Sequence, residues 1–258
     1  MSEENENGSA GRPTLENDDR KESSDEKTEK DSEELLEELF EQGKKALNEE
    51  EYEKAIQCLE EVNTIDPNHI DALILKSRVY AEEGKSEKAI KCIEEASSIE
   101  SNNTFILSLK AILYEKKGKF DEAIECLEKV TSINPGDSNA WCLKGMVYEK
   151  KGEYEDAIRC FDVATLIDSR DINAWVFKGD MHRIIEEYEK ALECYDKAIS
   201  IDSNYLLPWI GKIKTYRKKG ELRKALECYT KELSPNVDNS YMPKEKFLNT
   251  LVKTREGE

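Results

Sequence analysis

A fixed repeat period is the feature that most constrains how this chain can fold. Alanine recurs every thirty-four positions, at Ala55, Ala89, Ala123, Ala157, Ala191 and Ala225. All three tryptophans follow the same period: Trp141, Trp175 and Trp209. Gly145 and Tyr148 continue the helical face that starts at Trp141, and a second face that includes Phe161 follows the turn at Gly152. The pattern predicts pairs of antiparallel helices, each of which needs a neighbouring pair to cover its remaining apolar side.

The repeats divide the chain into three parts. The period continues without insertion over residues 32–235, which predicts six repeats. Their predicted ranges are about 36–69, 70–103, 104–137, 138–171, 172–205 and 206–234. Residues 1–31 are rich in acidic side chains and contain few apolar ones, a composition that predicts a disordered acidic tail. Residues 236–258 are predicted to form a capping helix, over 243–254, and a frayed C-terminus.

A helix–turn–helix unit that repeats every ~34 residues resembles the tetratricopeptide repeat family. The family's pattern of large, small and aromatic residues is carried in the fourth repeat by Trp141, Gly145, Tyr148, Ala157 and Phe161. Its terminal proline is present at Pro67 and Pro135 and is replaced by Ser101, Ser169 and Ser203. The resemblance implies an all-α fold, a right-handed superhelical solenoid whose concave face is lined by the first helix of each repeat. Because the family is defined by packing positions, function has to be argued separately.

Composition narrows the possible partners. The net charge is −18, which argues against nucleic acid as the main partner, since phosphate binding needs clustered Lys and Arg. No apolar run is long enough to predict a membrane span, and the N-terminus does not resemble a secretory signal.

Six of the seven cysteines follow the same period: Cys58, Cys92, Cys126, Cys160, Cys194 and Cys228. Stacked helices lie about 10 Å apart, beyond the roughly 7 Å between Cα atoms that a disulfide allows. We therefore expect free thiols that pack as small apolar side chains, and a cytoplasmic protein. A metal ladder is the alternative, but neither nearby histidines nor close Cys-x-x-Cys pairs accompany the cysteines.

The sequence contains no catalytic constellation. His69 falls in a turn between repeats, and His182 stands at a position where the other repeats carry a packed aromatic residue. No phosphate-binding glycine loop, nucleophile elbow or zinc-protease motif is present. We expect no enzymatic activity, cofactor or metal. A lysine ladder on the first helices, which includes Lys144 and Lys178, is expected to pack its stems and to pair with acids.

The resemblance places a partner-binding groove on the first helices. Its predicted lining in the central repeats is Phe105, Ser108, Ile112, Asn139, Cys142, Met146, Asn173, Val176 and Asp180. Toward the last repeat the lining turns basic: Arg183, Lys214, Arg217 and Lys218. Apolar side chains that the repeat's own core does not need indicate a binding surface, and the basic end suits an acidic segment. The prediction is a scaffold or adaptor that binds a peptide or helix of another protein.

Two alternatives remain. Exposed repeat ends, or the apolar pair Ile184 and Ile185, could support a structural homo-oligomer or a regulatory subunit of a larger complex. A chaperone-tail adaptor ranks lower, because the Lys/Asn/Asn/Lys/Arg clamp of that subgroup is missing. The matching positions carry Phe40, Lys44, Leu75, Phe105 and Leu109.

Overall fold

A computed structural model describes residues 18–229, with side chains from residue 32 onward. This range contains twelve α-helices and no strand. The described residues form two compact units, which are divided between Ile99 and Glu100. Each unit is built from antiparallel helix pairs, so the fold class is an all-α helical-repeat solenoid. The predicted capping helix at 243–254 lies outside the described residues.

The first unit contains two helix pairs. Its helices are α1 (Asp18–Asn48), α2 (Tyr52–Ile65), α3 (Ile70–Glu82) and α4 (Ser86–Ile99). Each helix packs against the next, and α1 also contacts α3. The core between the pairs includes Ala55, Leu59 and Val62 of α2, all fully buried.

Helix α1 begins earlier than the sequence predicted. We expected residues 1–31 to be disordered, but α1 starts at Asp18. The prediction of disorder is therefore wrong for residues 18–31, whereas residues 1–17 lie outside the described range. The low apolar content of this segment led to the wrong prediction, because it shows only that little surface can be buried. Once the packed part of α1 has nucleated, each added residue contributes a backbone hydrogen bond, and Glu, Lys and Arg are good helix formers.

The second unit contains the remaining four pairs. Its helices are α5 (Thr104–Lys116), α6 (Phe120–Ile133), α7 (Ser138–Lys151), α8 (Tyr154–Ile167), α9 (Ile172–Ile184), α10 (Tyr188–Ile201), α11 (Leu206–Lys218) and α12 (Leu222–Cys228). Consecutive helices pack together, and the first helices α7, α9 and α11 also contact one another in turn. The starts of α5, α7, α9 and α11 are separated by one full repeat period each and fall at the boundaries of the predicted repeats.

Small residues on the first helices let the second helices approach closely. A Cβ built on Gly145 would lie 2.7 Å from the ring of Phe161, and one on Gly179 would lie 2.7 Å from Tyr195. Both rings are fully buried. The helix–helix spacing thus depends on these glycines, because a side chain there would overlap the core aromatic of its own repeat.

The turn inside each helix pair uses a left-handed backbone at the same register. The φ angles at this position are positive in all six pairs: Glu50 60°, Gly84 76°, Gly118 78°, Gly152 87°, Glu186 65° and Gly220 76°. Glutamate therefore adopts a conformation that normally favours glycine in two of the six turns. Glu186 and Glu50 mark strained points in an otherwise regular pattern.

Tryptophan and lysine side chains repeat one arrangement on the outer edge of the first helices. Trp141, Trp175 and Trp209 each donate an indole N–H bond to the carbonyl six residues earlier, at 2.9–3.0 Å. Lys144 and Lys178 lie over the Trp141 and Trp175 rings and pair with acids on the preceding helix. The expected pairing of the lysine ladder is confirmed here. The acids of these pairs are half-exposed, so the ion pairs contribute little energy.

The seven cysteines are all free, and five of the six that follow the repeat are buried. Burial raises the pKa of the Cys160 and Cys194 thiols to about 11. The thiols therefore behave as small apolar residues of the second helices, as the spacing predicted.

Candidate partner-binding surface

The first helices of the second unit carry apolar side chains that are exposed or only partly buried. Phe105, at the start of α5, is 60% exposed despite its size. Ile112 on the same helix and Met146 on α7 are partly exposed. These three apolar side chains lie on helices whose buried faces are already filled by other residues, such as Ile106 and Val147. Met146 also packs against the core cluster of Ala157, Phe161 and Met181, so only part of its side chain is exposed. The exposed parts of the three side chains are available for contacts with other molecules.

Ile112 and Met146 line the same small cleft between α5 and α7. The cleft has a volume of about 40 Å³. Its lining is Ala111, Ile112, Glu115, Leu127, Leu143, Met146, Val147 and Lys150. An ion pair between Lys150 and Glu115 joins the two helices at this cleft. Since about 10–15 Å³ of such volume holds one water, the cleft can accept the end of one aliphatic side chain. The structure therefore brings two of the predicted groove residues together.

Val176 does not belong to this surface. The sequence predicted it as an exposed apolar contact, but it is only 4% exposed. Helix α9 contacts α7, α8, α10 and α11, which leaves little of its surface free. Val176 is a core residue, and its predicted role as an anchor is wrong.

Several polar residues of the predicted groove are already satisfied within the fold. Ser108 donates its hydroxyl to the Thr104 carbonyl at 2.8 Å. The Cys142 thiol lies 3.6 Å from an Asp171 carboxylate oxygen, and burial together with this carboxylate raises the pKa of Cys142 to about 12. Neither side chain is a reactive or primary recognition group.

The two asparagines differ in availability. Asn139 and Asn173 are both exposed. The amide oxygen of Asn173 accepts a hydrogen bond from the Tyr205 hydroxyl at 2.8 Å. Its amide nitrogen remains available as a hydrogen-bond donor.

A polar cluster occupies the surface where α7, α9 and α10 meet. The Asp180 carboxylate accepts bonds from Arg183 Nε and Nη2 at 3.1 and 2.7 Å, and from the Tyr195 hydroxyl at 2.9 Å. Burial and the nearby Asp180 carboxylate raise the pKa of Glu149 above its usual range. Asp180 and Arg183 therefore satisfy each other, while Glu149 adds an acidic group to the same region.

Helix α11, the first helix of the sixth pair, has a basic face. Lys214, Arg217 and Lys218 lie three and four residues apart, which places them on one side of the helix. Lys214 and Lys218 are exposed, and Arg217 lies partly buried beside them. None of the three makes an ion pair within residues 32–229. The side chain Nε of Arg217 is buried without a hydrogen-bond partner in that range.

Sequence reasoning missed three members of these surfaces. Leu143 and Glu149 were not assigned to the groove, and no role was predicted for the Tyr195 hydroxyl. Sequence reasoning also missed an exposed apolar residue outside these surfaces: Leu166 on the second helix α8 is 83% exposed. The exposure of Leu166 could have been predicted from the sequence. The matching positions of the neighbouring repeats carry serine, Ser132 and Ser200, which indicates a register that faces solvent.

Histidines and acids offer no obvious chemistry in the described part. His182 is buried at its predicted core position, with Nδ1 2.7 Å from a Glu187 carboxylate oxygen. Within residues 32–229, no three side chains of the metal-binding types come together. Of the helices described, none combines the length and the apolar character that crossing a membrane requires.

Helix pairs in a fixed register, with a surface of first-helix side chains left over from the core, define a helical-repeat protein of the interaction-scaffold class. Residues 18–171 match the family model of the tetratricopeptide repeat protein 21 C-terminal ARM domain, and residues 172–205 match the tetratricopeptide repeat model. The first match alone covers more than half of the chain. The chain therefore belongs to the tetratricopeptide repeat family.

Solved structures show the same fold. A tetratricopeptide repeat protein from Parabacteroides merdae ATCC 43184 has a TM-score of 0.68 at 19% identity, over 80% of this chain and 81% of that one. PilF of Pseudomonas aeruginosa has a TM-score of 0.65 at 18% identity, over 86% and 99%. YrrB, a tetratricopeptide repeat protein with an unusual peptide-binding site, has a TM-score of 0.56 at 22% identity, over 67% and 90%. No curated protein matches the chain in sequence.

Proposed function

We propose that this protein is a non-enzymatic scaffold that binds a peptide or helical segment of a partner protein along the first helices of its repeats. The observation that carries the proposal is the apolar surface of the second unit, where Phe105 is 60% exposed and Ile112 and Met146 line a cleft. Binding energy at such surfaces comes from a few apolar anchors that enter small pockets. One aliphatic side chain of the partner would fill the cleft.

The backbone of the partner would be held by polar groups on the same helices. Asn139 is exposed on α7, and the Asn173 amide nitrogen remains available on α9. Side-chain amides can donate to a peptide carbonyl whatever the partner's side chains are, so they would orient the segment without fixing its sequence. The description of YrrB as a protein with a peptide-binding site agrees with this mode of use.

The cytoplasm is the proposed location. Seven free cysteines, most of them buried, suit a compartment that keeps thiols reduced. Binding of a protein partner, rather than a nucleic acid, is favoured by the net charge of −18.

The test is a selection of short peptides by phage display on the full chain, followed by affinity measurement on two variants. Met146→Glu places a charge beside the cleft and is expected to weaken the selected peptides at least tenfold. Leu166→Glu is the matched control, because it makes the same type of change at a more exposed apolar residue on a second helix. Circular dichroism checks that both variants keep their helicity. Equal binding by Met146→Glu, or loss only in Leu166→Glu, would refute the proposal.

Self-association is a second candidate, favoured by the exposure of Leu166 at 83% and of Ile133 and Ile184. Light scattering over a concentration series tests it. A molecular mass that doubles with concentration, and returns to the monomer value in Leu166→Glu, would support a homo-oligomer formed through the second helices.

A further inference from the structure

Repeats five and six differ by a reversed charge at one register of the first helix. In α9 the carboxylate of Asp180 accepts both Nε and Nη2 of Arg183, at 3.1 and 2.7 Å. One repeat later the chain carries Arg217 in the place of Arg183, but Lys214 in the place of Asp180. The last repeat thus keeps the guanidinium and replaces its internal carboxylate with another cation.

Arg217 has no substitute for the missing carboxylate within residues 32–229. Its Nε is buried and has no hydrogen-bond partner there. Other lysines of the same region are paired, such as Lys212 with Asp196 and Lys219 with Glu189. The cations of α11 that lack a pair in the described range are confined to one face of the helix. A buried donor without an acceptor is unfavourable, so this face gains stability when an acceptor arrives.

We propose that Lys214, Arg217 and Lys218 bind a carboxylate side chain from an acidic segment of a protein partner. The partner's carboxylate would accept N–H bonds from the Arg217 guanidinium, as the Asp180 carboxylate does from Arg183 one repeat earlier. The inference rests on the proposed function, since the same partner would extend along α5, α7 and α9, and it fixes the chemistry of one end of that partner. An Arg–carboxylate contact suits the role because guanidinium donors match the two carboxylate oxygens.

The negative net charge of the chain favours a short acidic segment, rather than a long polyanion, as the ligand of Lys214, Arg217 and Lys218. A chain of net charge −18 repels a polyanion at long range, whereas a few carboxylates at a local cluster of three cations remain favourable within a Debye length of about 10 Å. A nucleic acid would bring phosphates against the acidic groups elsewhere, such as Glu149 and Asp180, and is disfavoured for that reason.

The experiment uses two short fluorescent peptides of equal length and the full chain. Both peptides carry the same apolar half, and the second half contains four Glu in one and four Gln in the other. We expect the Glu peptide to bind with a dissociation constant at least ten times lower, measured by fluorescence anisotropy. Lys214→Asp gives repeat six the internal carboxylate that Asp180 supplies in repeat five. This variant should therefore bind the Glu and Gln peptides with equal affinity, and its melting temperature should stay the same or rise. Lys197→Asp, the same change at an exposed lysine of α10, should leave the difference intact.

Each outcome decides the question. Equal affinity of the two peptides, or a preference that survives Lys214→Asp, overturns the acidic-segment assignment. If both peptides bind equally and Met146→Glu weakens both, the proposed scaffold function stands and only this inference fails. Tighter binding of a single-stranded oligonucleotide than of the Glu peptide, lost in Lys214→Asp, would assign the site to phosphate and overturn it. Self-association that Lys214→Asp removes would assign the carboxylate to a second copy of this chain and overturn the partner assignment.

Discussion

The substitution Glu186→Gly, in the turn between α9 and α10, tests whether the left-handed backbone of this residue is strained. Glu186 has a φ of 65°, in the left-handed region, where the other turns of the second unit carry glycine. Its side chain is exposed and has no hydrogen bond or ion pair within residues 32–229. The substitution therefore removes backbone strain without removing any side-chain contact of the described part.

The expected gain follows from two opposing contributions. A left-handed backbone costs a residue with a Cβ roughly 1–2 kcal/mol. Glycine loses about 0.5–1 kcal/mol more backbone entropy on folding than other residues do. The net expectation is a stabilisation of about 0.5–1 kcal/mol, which corresponds to a rise of roughly 1–4 °C in melting temperature for a protein of this size.

The assay is urea denaturation followed by circular dichroism, supported by thermal melting. Glu186→Ala is the matched control, because it removes the same charge and leaves a Cβ on the left-handed residue. Gly152→Ala provides the converse, since a Cβ there would meet no atom within 4 Å and any loss of stability is conformational. The reasoning fails if Glu186→Gly and Glu186→Ala have the same urea midpoint, or if Glu186→Gly lowers it.

Three further predictions concern the core and the outer edge of the repeats. Gly145→Ala should destabilise the protein by about 1–3 kcal/mol, because the new Cβ would lie 2.7 Å from Phe161; urea denaturation measures this. Trp175→Phe should cost about 1 kcal/mol by removing an indole N–H bond of 3.0 Å, measured in the same way. Stability should fall as the pH rises above 9, since the folded state holds the pKa of Cys142 at about 12 and of Cys160 at about 11, against 9.0 for a free thiol. Below pH 9 both thiols are neutral in the folded and the unfolded state, whereas between pH 9 and about 11 to 12 only the unfolded state ionises, so stability falls over that window. Denaturation midpoints at pH 7, 9 and 10.5 would show the decline.

Controls separate these effects from general damage. Gly136→Ala, at a glycine whose Cβ would lie 3.7 Å from its nearest neighbour, should change stability far less than Gly145→Ala. Trp175→Tyr, which restores a polar tip at a different place, should not recover the loss in Trp175→Phe. Cys160→Ala should make the alkaline decline shallower; an unchanged slope would show that Cys160 is not one of its sources.

The sequence predicted the fold well where the period carries physical meaning. Alanine, glycine and aromatic residues at fixed spacing define which face of each helix is buried, and the starts of α5, α7, α9 and α11 follow that spacing. The N-terminal extension of α1 was missed, because low hydrophobicity predicts an absence of packing rather than an absence of helix.

The candidate site was predicted only in part. Ile112 and Met146 do line one cleft, as their positions in the repeat suggested. Val176 is also a predicted groove residue, but it occupies the register of Ser108 and Cys142, four residues before that of Ile112 and Met146, and it is buried. Its burial depends on how the neighbouring helices cover α9, which residue spacing does not specify. The pairing of Asp180 with Arg183 and Tyr195 also depends on side-chain geometry that no spacing rule contains.

The buried cysteines of successive helix pairs can report local opening of the fold. Cys126, Cys160 and Cys194 occupy equivalent places in three successive helix pairs, each shielded from solvent. A thiol reagent can modify such a group only while its helix pair is transiently open. Labelling followed by peptide mass spectrometry would therefore resolve breathing motions one repeat at a time, without any engineered probe.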